Sequence, residues 1–230
     1  MKSNLRLRRS LTLASFLLVV AAITPIVEAA SNPNPGVFPT SSKPYGITYG
    51  QWSAKWWQWA FSIPSATNPL LDSTGANCGV SQSGPVWFLA GTFGGSTTRS
   101  CTVSSNKSIL FPIINTECST IEGNPPPGST LSGCAKYFMD LVTALGASVD
   151  GRALKSLTTY RVQSPSYTFT LPSDNILGIS GCPCSSPSEA DGFWIIVQPL
   201  EAGTHTVHFE AAIPAFSFTV DVTYTLTIVE

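Results

Sequence analysis

The stretch Phe216–Ile228, FSFTVDVTYTLTI, decides the fold class. Phe216, Phe218, Val220, Val222, Tyr224, Leu226 and Ile228 alternate with Ser217, Thr219, Asp221, Thr223, Thr225 and Thr227. Successive side chains of a strand point to opposite faces, so a strict period of two predicts a β-strand with one face in a core and the other in water. A helix would instead group its apolar residues three and four apart.

Working outward, Tyr167, Phe169 and Leu171 repeat the pattern against Thr168 and Thr170. Phe193–Val197 (FWIIV) is continuously apolar, as expected of a strand covered on both faces. Further strands are expected at Val86–Gly91, Ser100–Val103, Ile109–Ile114 and Thr159–Val162, with turn residues at Gly94-Gly95, Asp150-Gly151 and Ala202-Gly203. Two segments change to helical spacing. Residues 49–63 begin after Thr48, with Gln51 completing a capping box, and stop at Pro64. Residues 131–145 place Ala135, Phe138, Met139, Val142 and Leu145 on one face, with Gly146 as the expected C-terminal cap. The sum is a mainly β, single-domain β-sandwich or jelly-roll-like fold with two helices, about 49–63 and 131–145.

The N-terminus carries Lys2, Arg6, Arg8 and Arg9, then an apolar run from Leu11 to Ile23, then Val27-Glu28-Ala29. That order is a secretory signal peptide, residues 1–29, cleaved after Ala29 or Ala30. The apolar part includes Pro25 and is shorter than the about 20 residues of a spanning helix, so no transmembrane span is expected after cleavage. Arg8-Arg9 matches the twin-arginine signal only in part, and ordinary secretion is expected. Residues 30–44, rich in Pro and Ser, are expected to form a flexible or extended leader to a domain over 45–230.

The whole chain is nearly neutral, at −1. Removing the leader takes away four positive charges and one negative, leaving eight against twelve. No basic patch exists to neutralise phosphates, which excludes nucleic acid as a partner. All six cysteines, Cys78, Cys101, Cys118, Cys134, Cys182 and Cys184, follow the leader. An even count in an exported chain predicts disulfides, and Cys118 with Cys134 and Cys78 with Cys101 are plausible pairs among several pairings. Cys182-Pro183-Cys184 would close a very small ring, or each cysteine would reach a distant partner. A copper-handling thiolate site there is the third functional class, after binding and hydrolysis.

Trp52–Trp59, WSAKWWQW, holds four tryptophans in eight positions. Trp52, Trp56 and Trp59 share a helix face and are expected in the core. Trp57 and Phe61 widen the apolar arc beyond that face, which makes them the candidate ligand-binding aromatics. Glu117 stands at the mouth of the Cys118–Cys134 loop, and Asp191 just before the apolar strand. Two carboxylates flanking a cleft would suit glycoside hydrolysis, so Glu117, Asp191 and His208 are the catalytic candidates. His205 and His208 point to opposite faces of a strand, which argues against a shared metal; His208 sits beside Glu210 as an expected solvated neighbour. No metal and no cofactor is expected: phosphate-cradle and nucleophile-elbow motifs are both missing.

Tyr49–Phe61 (YGQWSAKWWQWAF), Gly75–Cys78 (GANC), Ser83–Gly95 (SGPVWFLAGTFGG) and Gly203–Phe209 together resemble a group of exported microbial proteins. The resemblance spans most of the chain after the leader and implies export from a microbe. It carries no activity, ligand or catalytic residue, so the functional expectation rests on the residues. That expectation is a secreted, periplasmic or cell-envelope β-sandwich with a non-catalytic binding or structural role on a glycan or envelope surface. The alternative is an extracellular hydrolase acting on glycans.

Overall fold

The computed structural model describes residues 32–123, 126 and 129–230; the expected signal peptide lies outside them. Ten strands and two helices follow one another as α1 (Tyr49–Ser62), β1 (Val86–Phe88), β2 (Gly95–Ser104), β3 (Ser108–Ser119), α2 (Leu131–Asp140), β4 (Ala144–Val149), β5 (Arg152–Ala153), β6 (Arg161–Gln163), β7 (Tyr167–Leu171), β8 (Cys184–Val197), β9 (Gly203–Ile213) and β10 (Phe218–Val229). They form two five-stranded sheets. One has the order β1-β3-β8-β6, with β7 also paired to β8; the other is β2-β10-β9-β4-β5. The β1–β3 and β2–β10 pairs are parallel, and the rest are antiparallel. The chain is the mainly β, single-domain fold that its alternation predicts.

The expected alternation in β10 sets the core of the second sheet. Val220, Val222, Tyr224, Leu226 and Ile228 are buried, while the threonines between them face outward. The strand begins two residues later than the pattern implies. Pro214 has no N–H to give to a ladder, so Pro214–Phe216 turns instead, Ser217 takes a φ of 51°, and Phe216 is exposed.

The two sheets face each other through Phe111 of β3 and Phe209 of β9, whose rings stack at 5.0 Å between centroids. Helix α1 covers the other face of the first sheet, with Trp56 against Trp194 and Phe61 against Phe169. This double cover explains why Phe193–Val197 is apolar at every position and buried throughout. The capping box between Thr48 and Gln51 starts α1. Gly50 lets the helix approach β6: a Cβ there would stand 2.4 Å from the Gln163 carbonyl oxygen.

One expectation is corrected. The second helix ends at Asp140 rather than 145, and Gly146 caps nothing. Thr143 donates its N–H to Ala212, and Ala144–Val149 pairs with β9 as β4. Ladder pairing thus overrides a helical spacing in which Val142 and Leu145 are only half-buried. From Asn32 onward, the segment expected to be a flexible or extended leader packs along the domain. Val37 bridges Val197, Phe38 N–H donates to Ile196, and buried Asn34 donates to the Lys155 carbonyl at 2.9 Å.

Three disulfides tie the domain: Cys78–Cys101, Cys118–Cys134 and Cys182–Cys184. They fit an oxidising, extracellular or periplasmic setting. They also leave no thiolate for copper, since Cys182 and Cys184 are joined to each other. Among the described residues, no helix is long and apolar enough to cross a membrane.

Candidate functional site

Register decides which side chains meet. Glu117 of β3 lies opposite Ala190 of β8, and Ser188 lies opposite Tyr167 of β7. With a period of two, Asn115, Glu117, Ser188 and Tyr167 all project from the face that α1 covers. Asp191 lies opposite Thr116 and therefore projects from the other face. The two carboxylates read from the sequence do not share a cleft.

Asp191 lies not before the strand but inside β8, 1% exposed. Arg161 on the neighbouring strand holds it, with Nε at 3.1 Å and Nη2 at 2.8 Å from its oxygens. The same guanidinium reaches Asp140 at 2.8 Å. This is an ion-paired structural carboxylate.

Glu117 belongs to β3, not to a loop, and is buried. Ser188 Oγ donates to its Oε2 and also lies 3.0 Å from Tyr167 Oη. Burial pushes the Glu117 carboxyl up to about 9, helped by the adjacent Glu122 carboxyl and opposed by the Ser188 hydroxyl. Glu117 is therefore a neutral acid at pH 7. Burial, then the neighbouring Glu117, also drives the Tyr167 phenol upward. Glu122 is held by Ser119 Oγ at 2.6 Å.

Above these groups lies a cavity of about 200 Å³. Its walls include Trp56, Trp57 and Phe61 from α1, Asn115 and Glu117 from β3, and Glu122, with Phe93 and Phe218 at its margin. Trp57, Phe61 and Glu117, three residues singled out in the sequence, thus line one space. No lysine or arginine lines it.

The indoles of α1 divide sharply. Trp52 donates to the Pro44 carbonyl, Trp56 to Leu89 and Trp59 to Val80, at 3.0, 2.9 and 3.0 Å. Trp57 is 8% exposed and its Nε1 has no partner. Asn115 Nδ2 and Trp194 Nε1 are likewise buried without a partner. Buried donors are nearly always satisfied in folded proteins, so the two orphans on residues that line this cavity, Trp57 Nε1 and Asn115 Nδ2, require an explanation.

The histidines lie elsewhere. His205 Nδ1 is 2.8 Å from Asp150, which raises the imidazole's affinity for its proton. His208 projects from the outer face of the second sheet, with Nε2 3.1 Å from Asp221. Sequence reasoning missed Glu122, Ser188, Tyr167 and Asn115. Tyr167 reads as one more core residue of an alternating strand, and Ser188 sits in a Pro- and Ser-rich run that gives no strand signal.

Comparison with protein-family models, with curated proteins and with solved structures yields no match to this chain.

Proposed function

We propose that this is an exported binding protein whose cavity under α1 receives one sugar unit of an extracellular or cell-envelope glycan. The observation that carries the proposal is Trp57, whose ring walls the cavity while its N–H lacks a partner. A pyranose offers C–H faces that pack on aromatic rings and hydroxyls that both donate and accept. Trp56, Trp57 and Phe61 supply the rings. Trp57 and Asn115 carry unpaired donors buried in the cavity wall. The neutral Glu117 carboxyl and Glu122 supply both roles. The acidic lining disfavours phosphorylated or sulfated ligands, and the small volume suits a single ring or a chain end.

Binding without turnover is the better match. Glycoside hydrolysis places two carboxyls about 5–9.5 Å apart on either side of the bond, whereas Glu122 abuts Glu117 closely enough to raise its pKa by hydrogen bonding, and Asp191 is on the opposite face. The specific observation favouring hydrolysis is that Glu117 is a neutral acid able to donate a proton.

The test is calorimetry of the secreted protein with chito-, cello-, manno- and peptidoglycan-derived oligosaccharides, alongside Trp57→Phe. That substitution keeps a ring and removes the N–H. Saturable binding that weakens at least tenfold in Trp57→Phe, with unchanged circular dichroism, is expected. Failure of every glycan to bind, or unchanged binding by the variant, refutes the proposal. Release of shortened oligosaccharides by the wild type but not by Glu117→Gln would establish hydrolysis instead.

A further inference from the structure

The outer face of the second sheet is a field of Thr and Ser interrupted by three ionisable side chains that converge. His208 and Glu210 are two apart on β9 and so share a face; Asp221 on β10 lies directly opposite Glu210. One ligand atom from each, an imidazole nitrogen and two carboxylate oxygens, lies within 4.8 Å of the others. Like charges directly opposite on adjacent strands destabilise a sheet, and open solvent leaves both free to turn apart. No lysine or arginine among the described residues forms an ion pair with either.

The backbone beneath is shaped for this convergence. Gly146 of β4 lies opposite Glu210, and a Cβ there would stand 2.6 Å from Glu210 Cγ and 2.7 Å from its Oε1. The absent side chain is what lets the Glu210 carboxylate lie over β4. Beside the cluster runs an open groove bordered by Ser96, Ala144 and Thr219, which leaves space for water or a further ligand.

We propose that His208, Glu210 and Asp221 form a surface site for a borderline divalent transition-metal cation, of which Zn²⁺ is the best-matched. The donor set selects the class. Zinc accepts imidazole nitrogen at about 2.0–2.1 Å and carboxylate oxygen at about 2.0–2.2 Å, which sets tetrahedral ligand atoms roughly 3.3 Å apart. The His208–Asp221 pair already stands at 3.1 Å, and the third ligand reaches that spacing by side-chain rotation. Ca²⁺ and Mg²⁺ prefer all-oxygen sets. Thiolate-seeking ions find no free cysteine. Three protein ligands leave a coordination position open to solvent. None of the three ligand side chains lines the cavity under α1.

The experiment is calorimetric titration of the purified protein with Zn²⁺, paired with Co²⁺ absorption spectra. Expected are one cation per chain and a visible Co²⁺ band displaced by Zn²⁺. Affinity should fall at least tenfold in His208→Ala and Asp221→Asn, and measurably in Gly146→Ala, where the new methyl displaces Glu210. His205→Ala, which leaves the cluster intact, should bind as the wild type does. Lack of uptake at millimolar Zn²⁺ overturns the proposal. So does uptake that His208→Ala leaves unchanged, or Ca²⁺ competing as well as Zn²⁺.

Discussion

Ser188 donates its hydroxyl to Glu117 across two neighbouring strands, 71 positions apart in sequence. The bond lies on the face of the first sheet that α1 covers, and Glu117 is buried there, so the acid loses most of its hydration. One hydroxyl does not replace the hydration a carboxylate would lose, and the Glu122 carboxyl adds repulsion. The neutral acid is the outcome.

This predicts a pH dependence of stability. In the unfolded chain Glu117 titrates near the ordinary 4.5, and in the folded chain near about 9. Between those values the folded state holds a proton that the unfolded state has lost. The contribution is therefore complete below about 4.5, declines as pH rises, and is gone once pH passes the folded value, with a slope of at most about 1.4 kcal/mol per pH unit. Urea denaturation from pH 5 to 9 should show this decline in the wild type and a flatter profile in Glu117→Gln, whose neutral amide needs no proton. Parallel profiles for the two would show that Glu117 ionises freely in the fold.

A second prediction contrasts two adjacent tryptophans. Both are buried and their rings meet edge-on at 5.0 Å between centroids, so Trp→Phe removes similar volume at each. Trp56→Phe also strands the Leu89 carbonyl, which accepts its N–H at 2.9 Å, at a cost of roughly 1–3 kcal/mol beyond packing. Trp57→Phe removes a donor that has no partner, so only the packing loss applies. Denaturant midpoints should fall clearly further for Trp56→Phe. Equal losses would mean that Trp57 Nε1 is satisfied in solution.

The fold was legible because its longest strands carry unambiguous periods. The alternation of Val220–Ile228 and the unbroken Phe193–Val197 run each permit one arrangement, half-buried and doubly buried respectively. β4 was not legible: Ala144, Gly146 and Ser148 are small and weakly apolar, and only pairing with β9 makes that segment a strand. The site divides the same way. Trp57, Phe61 and Glu117 stand out by residue type and do meet, while pairing Glu117 with Asp191 required register, which sequence spacing does not supply. Likewise the closeness of Asp221 to His208 and Glu210 arises across strands. Within β9 alone, His208 and Glu210 look like ordinary solvated neighbours.

The last prediction concerns Arg161 and Asp191. Asp191 is fully buried in β8, whereas Arg161 keeps 26% of its side chain exposed and lies 5.8 Å over the Phe193 ring. Removing the cation leaves a carboxylate buried without compensation, which is costlier than removing the pair. Arg161→Met, which preserves the aliphatic stem, should destabilise by about 3 kcal/mol. The contact with Asp140 contributes little to that figure, since that carboxylate is open to solvent and water screens the pair. Asp191→Asn in the Arg161→Met background should then recover stability, because the neutral amide tolerates burial without a counterion. A double-mutant cycle read by chemical denaturation should give a coupling above about 1 kcal/mol. Simple additivity of the two substitutions would mean that the Asp191 carboxylate is stabilised by something other than Arg161, and that its burial is not what fixes the β6 edge to β8.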